Sequence, residues 1–325
     1  MTEDRRFLEN SILRTIVFYD ILGLPLTGFE IYKYLIGNKE LRIKNKELKF
    51  SDILETLDKS DFLKGKIGGR EGFYFLRGKD YLVEERIEKQ KLADLKWKKL
   101  RRAAKFFWVL PFLKTVLVTG SFALGNVKPR SDFDVLVAAR HGRIWTLRFL
   151  ATILFYFFGI RRSAKKIKDR ICLSHYVSDR ALQIRCRNIY EAQYYARAFP
   201  LLEVEPGFYF RFCRENYWIG DYLVFWPPEI RDFQSLGAVD INLKSLPQNK
   251  FLRFFGGLAE KILAGALGDF LERILAAVQK FHINRHPLKH LEGERSRVDE
   301  YELEFRPNSH SLAIVGEYEK KILGS

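Results

Sequence analysis

Hydrophobic residues recur at helical spacing in the N-terminal part of the chain, and a glycine-rich turn follows them. The spacing predicts helices at 11–22, at 28–36 with Thr27 as N-cap, and at 52–59 with Ser51 as N-cap. Short apolar runs lie on both sides of the turn, with Phe62 and Leu63 before it and Phe73–Leu76 after it, and they indicate a hairpin. Three helices followed by a hairpin predict a winged-helix-like domain at residues 1–79.

The pattern of the remaining chain predicts one long helix, a strand-rich centre and a helical C-terminal part. Residues 80–110 form a charged connecting helix, and apolar runs within 115–138 indicate two strands. Between Arg148 and Arg161 lie twelve uncharged residues, whereas a membrane-spanning helix needs about 20, so a buried or interfacial helix is predicted there. Residues 251–281 hold two amphipathic helices, which are predicted to cover the central sheet or to form a dimer face.

The net charge of +16 over 325 residues is concentrated in one part of the chain. Residues 81–200 hold 25 Lys and Arg against nine Asp and Glu, which accounts for the whole surplus. Such a local field attracts polyanions, which are nucleotides, nucleic acid or anionic lipid headgroups. The three cysteines are widely spaced and the N-terminus lacks an apolar run of signal-peptide form, so a reducing, cytoplasmic location is expected.

Two aspartates at the start of the second central strand are candidate metal ligands. Asp132 and Asp134 are two positions apart, so their side chains project to one face of the strand, where two carboxylates can share a divalent cation. Upstream, Gly120 permits a tight turn and Ser121 offers a hydroxyl and an amide to a phosphate. Ser131 is placed to steady the loop between the strands. This stretch therefore holds a place for a metal and a place for a polyphosphate.

The order of Gly-Ser, ten residues and Asp-x-Asp, flanked by strands, resembles the signature of the DNA polymerase β-like nucleotidyltransferase superfamily. The resemblance implies an α+β fold with a mixed β-sheet nucleotidyltransferase core at 111–228. The winged helix would precede this core, and a C-terminal helical region with a tail would occupy 229–325. Thr119 departs from the superfamily pattern, because an apolar residue usually stands at this position.

The same resemblance assigns roles to individual residues. Asp132 and Asp134 would be catalytic and would hold Mg²⁺ or Mn²⁺, while Gly120, Ser121 and Ser131 would contact an NTP, expected to be ATP. A basic segment at 161–170 precedes the next predicted strand, which would bring two of its cations, Lys165 and Lys166, near the triphosphate.

The superfamily also places a third carboxylate within a later strand, and this sequence lacks one at mid-strand. Ser174 stands there with His175 beside it, and Asp169 and Asp179 flank the strand. Three arrangements follow from the residues: a flanking aspartate substitutes, His175 acts as the base, or the site binds nucleotide without efficient transfer.

Other functions remain compatible with the sequence. A nucleotide-sensing or catalytically weak regulator would bind nucleic acid through the winged helix, although the helix at 52–59 carries more acids than cations. A peripheral membrane protein would use the apolar segment 149–160 between its basic clusters. The C-terminal helices would support a homo-oligomer, and the acceptor of a transferred nucleotide is not specified.

Overall fold

The computed structural model describes residues 3–37, 48–227, 245–285, 295–306 and 310–323. The N-terminal elements are, in chain order, α1 Glu3–Ile21, β1 Leu26–Thr27, α2 Gly28–Lys33, α3 Phe50–Lys59, α4 Asp61–Lys66, β2 Ile67–Arg70 and β3 Phe73–Leu76. The three strands form an antiparallel sheet in which β3 lies between β1 and β2. The expected hairpin is present as β2 and β3, but its first strand begins at Ile67, and Phe62 and Leu63, which were expected to form that strand, lie in α4. The winged-helix interpretation stays a prediction.

The two predicted N-caps have different outcomes. Thr27 caps α2 in a capping box, because its hydroxyl accepts a hydrogen bond from the Glu30 amide at 3.2 Å and the Glu30 carboxylate accepts one from the Thr27 amide at 3.1 Å. Ser51 is not a cap, since α3 begins one residue before it. The Asp52 carboxylate instead accepts a hydrogen bond from the Lys49 amide at 2.7 Å, which fixes the start of α3 without a hydroxyl.

The predicted connecting helix is confirmed except in its last turn. Helix α5 spans Leu82–Ala104 and continues into a 3₁₀ helix at Lys105–Val109. Pro111 follows shortly afterwards and lacks the amide hydrogen that a continuing helix requires.

A six-stranded mixed sheet forms the centre of the molecule. The strands of this sheet and the helices between them are, in chain order, β4 Leu113–Val118, α6 Gly120–Ala123, β5 Phe133–Ala139, α7 Ile144–Phe157, β6 Ile171–Ser178, α8 Ile189–Ala196, β7 Phe199–Glu203, α9 Phe208–Glu215, β8 Arg295–Val298 and β9 Glu302–Arg306. The strand order is β7-β4-β5-β6-β9-β8, with β5 and β6 parallel and the other pairs antiparallel. This arrangement agrees with the predicted α+β class.

The described residues of the C-terminal part form three helices, α10 Lys250–Ile262, α11 Ala266–Asn284 and α12 Ser311–Leu323. The two helices predicted at 251–281 are present; α10 packs against the 3₁₀ helix that follows α5, and α11 packs against α7. Helix α12 packs against α1. The predicted boundary at residue 228 lies outside the described residues. Among the helices described, none has the length and hydrophobicity to cross a bilayer.

The two faces of the six-stranded sheet pack into two hydrophobic cores. Leu117, Leu136 and Val177 pack together with buried residues of α1, α8 and α9. Val116 and Val137 face the opposite way and pack with residues from α5, α7 and the 3₁₀ helix. Residues alternate between faces along each strand, so Asp134 lies on the face shared with Leu136, towards the N-terminal elements.

Candidate nucleotide and metal site

Gly120 and Asp134 meet where β4 ends and β5 begins. The Thr119 amide donates a hydrogen bond to the Asp134 carbonyl at 3.0 Å, which holds the two strand ends together. Gly120 has φ +67°, a conformation that strains L-residues. A Cβ at this position would lie 2.9 Å from both Cβ and Cγ of Asp134 and would overlap its carboxylate. Glycine is therefore required for the backbone turn and for the position of the aspartate.

Asp132 and Asp134 form an acidic cluster with Cys172. One ligand atom from each of the three residues lies within 4.8 Å of the others. Cys172 is at the start of β6 and pairs with Asp134 across the parallel ladder. Burial, and then the charge of the neighbouring Asp132, raises the pKa of Asp134 to about 6. The pair thus forms a compact site whose charge is only partly compensated by the protein.

The third member of the cluster is Cys172, and not a carboxylate. Burial raises the pKa of its thiol to about 11, so the group is neutral at physiological pH. The register between β5 and β6 shifts after Asp134 and Cys172, so that the next pair is Leu136 and His175. The pairing of Phe133 with Ile171 sets Cys172 opposite Asp134, whereas the sequence analysis had assigned the central position to Ser174.

Arg162 is the cation nearest to the pair. Its Nε lies 3.1 Å from Asp132 Oδ2, and its guanidinium donates a hydrogen bond to Cys172 Sγ at 3.3 Å. Asp132 Oδ2 is buried and accepts no hydrogen bond. The sequence analysis missed Arg162, although it lies in the basic segment at 161–170. Lys165 and Lys166 of the same segment are exposed and form no ion pair with a described residue.

Asp169 is engaged in supporting the loop before Asp132. It pairs with Lys96 and Lys99, each at 2.6 Å, and these hydrogen bonds hold its pKa below the ordinary value despite the opposing effect of burial. Lys96 is buried and also donates to the Ser131 carbonyl at 2.8 Å. The Ser131 hydroxyl accepts a hydrogen bond from the Lys128 amide at 2.9 Å, which agrees with its expected role in steadying the loop.

The other two residues considered as substitutes lie away from the acidic cluster. Asp179 follows the C-terminal end of β6, whereas Asp132 and Asp134 are at the N-terminal end of the parallel strand β5; its carboxylate accepts a hydrogen bond from the His141 amide at 2.8 Å. His175 is buried, with Nε2 3.1 Å from Glu302 and Nδ1 3.1 Å from the Tyr195 hydroxyl. Both ring nitrogens are occupied, so His175 belongs to a structural network.

A buried arginine from the last strand lies near Asp134. Arg306 of β9 stacks on Tyr194 with its guanidinium carbon 4.4 Å from the ring centroid, and it pairs with Glu304 at 3.2 Å. Its positive charge opposes the rise in the pKa of Asp134. The Tyr194 hydroxyl in turn donates to Thr119 Oγ1 at 3.1 Å. This hydrogen bond explains why a polar residue is accommodated at 119, where the superfamily usually has an apolar one.

Residues 97–179 match the family model of the nucleotidyltransferase domain. The matched segment includes the Gly-Ser turn, both aspartates, Arg162 and Cys172. The chain carries a nucleotidyltransferase domain of the DNA polymerase β-like superfamily. No curated protein and no solved structure matches the sequence significantly. The superfamily prediction is thereby confirmed for the domain that holds the acidic cluster.

The donor set of this nucleotidyltransferase domain fits a divalent cation. Asp132 and Asp134 supply hard oxygen ligands, and the buried Oδ2 of Asp132 is paired with Arg162 but accepts no hydrogen bond of good geometry. The protonated thiol of Cys172 is a poor ligand for a hard cation. Two carboxylates from the protein would leave the other coordination positions to phosphate oxygens and water, as is usual for ions of this kind at nucleotide sites.

Proposed function

We propose that the domain transfers a nucleoside monophosphate from an NTP, expected to be ATP, to an acceptor hydroxyl and releases pyrophosphate. Asp132 and Asp134 would hold Mg²⁺ or Mn²⁺. The observation that supports this most strongly is the close approach of Gly120 to the Asp134 carboxylate. Any side chain at position 120 would overlap this carboxylate, which is a candidate metal ligand. The basic surplus at 81–200 supports a polyphosphate substrate.

Each residue of the site has a defined part in this proposal. A bound divalent ion supplies charge neutralisation at the triphosphate and lowers the pKa of the attacking hydroxyl. Ser121 and the turn at Gly120 follow the end of β4, and they would offer a hydroxyl and amides to a phosphate. Arg162 pairs with Asp132, and it would be available to contact a phosphate if Asp132 held a metal instead.

The reaction proceeds by substitution at the α-phosphorus. The acceptor oxygen forms a bond to this phosphorus while the bond to the pyrophosphate oxygen breaks, and the hydroxyl proton passes from the acceptor to solvent water. The electron pair of the broken bond departs with pyrophosphate. Binding and orientation by Asp132 and Asp134 account for the in-line arrangement that such a step requires.

Cys172 favours a second candidate function. Among the described residues, the third member of the acidic cluster is a thiol and not a carboxylate. A site with two carboxylates would bind a metal nucleotide and transfer it slowly, and would then serve as a sensor in a regulatory protein. Nucleic acid would bind such a regulator through the predicted winged helix. The three cysteines form no disulfide within the described residues, which supports a reducing, cytoplasmic setting in either case.

Pyrophosphate release separates the two candidates. Purified protein is incubated with each NTP and Mg²⁺ or Mn²⁺, with and without RNA, protein and small-molecule acceptors, and nucleotide binding is measured in parallel. Transfer predicts metal-dependent pyrophosphate release that is lost in Asp132→Ala with Asp134→Ala. Asp58→Ala, which removes an exposed acid on α3, is the matched control. Binding without release favours the sensor, and the absence of both refutes a nucleotide site.

A further inference from the structure

Helix α11 has apolar side chains on two sides. Its inward side holds Leu275, which is buried in the core, together with the buried polar residues Glu272 and Gln279. Its exposed large apolar residues are Leu267, Phe270, Ile274, Val278 and Phe281. Their spacing of three to four residues places them on one side of the helix. A helix that packs on a soluble core normally has polar residues on its outward side, so this exposed apolar face needs a separate explanation.

Specific hydrogen bonds fix the rotation of α11. The Glu272 carboxylate accepts hydrogen bonds from the amides of Trp145 and Thr146 at 2.9 and 2.8 Å, so it caps the N-terminus of α7. Gln279 accepts a hydrogen bond from Arg148 and donates one to the Trp145 carbonyl at 3.0 Å. Turning the helix to bury its apolar side would break these bonds and leave the amides of α7 without acceptors.

Helix α10 presents a second apolar face. Its exposed residues are Phe251, Phe254, Phe255, Leu258 and Ile262, which follow the i, i+3, i+4, i+7, i+11 pattern of one helix side. The opposite side packs closely, because a Cβ on Gly256 would lie 2.9 Å from the Trp108 carbonyl oxygen and 3.1 Å from that of Val109. Phe251 and Phe254 are 70% and 66% exposed, so they contribute little to the packing of the chain itself.

The acids of these two helices are turned towards the protein and paired. Glu260 accepts a hydrogen bond from the Phe112 amide at 2.8 Å and pairs with Arg253 at 2.7 Å. Asp269 pairs with Arg143 at 2.5 Å. Glu272 is the cap of α7 described above. The negative charge of α10 and α11 is therefore neutralised within the molecule.

Apart from Arg253, the cations of α10 and α11, together with Arg285 just after α11, have no acidic partner among the described residues. They are Lys250, Lys261, Arg273, Lys280 and Arg285. A cavity at the start of α10 adds further positive charge, since four cations of α5 and the adjoining 3₁₀ helix face Leu246–Asn249 across it. They are Lys98, Arg101, Arg102 and Lys105. The apolar faces thus lie within a strongly cationic border.

We propose that α10 and α11 bind the surface of an anionic phospholipid bilayer. The two helices would lie in the plane of the membrane, with their apolar side chains among the acyl chains and their cations at the headgroups. A second copy of the chain would cover the apolar faces equally well but would bring two cationic borders together, which is electrostatically unfavourable. An anionic bilayer offers acyl chains to the apolar side chains and negatively charged headgroups to the cations of this region.

Sedimentation with vesicles tests the proposal on the full chain. We expect the protein to pellet with phosphatidylcholine vesicles that contain phosphatidylglycerol, and to pellet much less with phosphatidylcholine alone or at high salt. Phe251→Ser with Phe270→Ser removes one exposed anchor from each helix and is expected to lower the partition coefficient at least tenfold. Lys261→Gln with Arg273→Gln is expected to lower it about fivefold per cation.

The matched control is Leu312→Ser with Leu323→Ser, which removes two exposed apolar side chains from α12 and is expected to leave partitioning unchanged. Circular dichroism and thermal melts establish that every variant folds. Failure of the wild-type protein to pellet with anionic vesicles overturns the proposal, and so does undiminished pelleting of Phe251→Ser with Phe270→Ser. A wild-type dimer that dissociates in this variant, without vesicle binding, would instead identify an interface between two copies.

Discussion

Replacing Gly120 by alanine tests whether the geometry of the turn creates the metal site. The new Cβ would lie 2.9 Å from two carbon atoms of Asp134, closer than non-bonded carbons approach. The positive φ costs about 1–2 kcal/mol for a residue with a Cβ. Displacing Asp134 adds about 1–3 kcal/mol of the kind seen on overpacking. We therefore expect Gly120→Ala to lower the free energy of unfolding by about 2–5 kcal/mol.

Gly142 provides a control for the backbone contribution. It has φ +70°, and a Cβ there would meet nothing within 4 Å. Gly142→Ala should therefore lose only the conformational part, about 1–2 kcal/mol, and should keep the acidic cluster intact. The difference between the two variants measures the clash with Asp134.

Urea unfolding gives the two free energies, and the electron paramagnetic resonance signal of free Mn²⁺ gives metal affinity with and without ATP. We expect Mn²⁺ affinity to fall about tenfold or more in Gly120→Ala, because a carboxylate ligand is displaced, and to stay at the wild-type level in Gly142→Ala. Equal destabilisation of the two variants, together with wild-type Mn²⁺ binding in Gly120→Ala, would refute the argument.

Four further substitutions test the surroundings of the cluster and the network around His175. Arg162→Ala removes the cation beside Asp132, so Mn²⁺ affinity in the absence of nucleotide should rise several-fold. An unchanged or lower affinity would contradict the idea that Arg162 and Mn²⁺ compete for Asp132. Cys172→Asp adds a third carboxylate beside the pair and should strengthen Mn²⁺ binding and raise pyrophosphate release, whereas Cys172→Ser should do neither. Hydrogen bonds from His175 and Arg297 outweigh burial and lower the pKa of Glu302 to about 2. Its contribution of about 3 kcal/mol is present above its unfolded pKa and is lost as the pH falls towards 2, so urea unfolding of Glu302→Gln should lack this acid-dependent loss.

Local patterns were enough to predict the elements that carry the site. The spacing of apolar residues indicated the strands around 115–138, and the two-residue separation of Asp132 and Asp134 placed both side chains on one face. The Thr27 cap was predictable because a capping box involves residues only three apart. Ser51 was misassigned because the start of α3 is fixed by another side chain: the Asp52 carboxylate accepts a hydrogen bond from the Lys49 amide.

The residues that surround the two aspartates depend on strand register, which local patterns do not give. Cys172 was overlooked because the pairing of β5 with β6 decides which residue faces Asp134, and this pairing joins segments that are distant in the sequence. The basic composition of 161–170 indicated a cationic segment, but it did not distinguish Arg162 from the exposed Lys165 and Lys166. The sequence did contain one signal for Cys172: this residue lies at the start of β6, which is parallel to β5, so its position corresponds to that of Asp134 at the start of β5.

The charge balance of the site is set by distant parts of the chain. Two carboxylates face one another within the acidic cluster, and burial raises the pKa of Asp134, so the pair would be partly protonated without nearby cations. The Arg162 side chain approaches from the surface and is 42% exposed, whereas the Arg306 side chain is 15% exposed and held by aromatic and acidic partners. Under the proposed function, a divalent ion would displace Arg162 more readily than Arg306. Arg306 would then keep Asp134 available as a ligand, and this difference in exposure would link β9 to the chemistry at the acidic cluster.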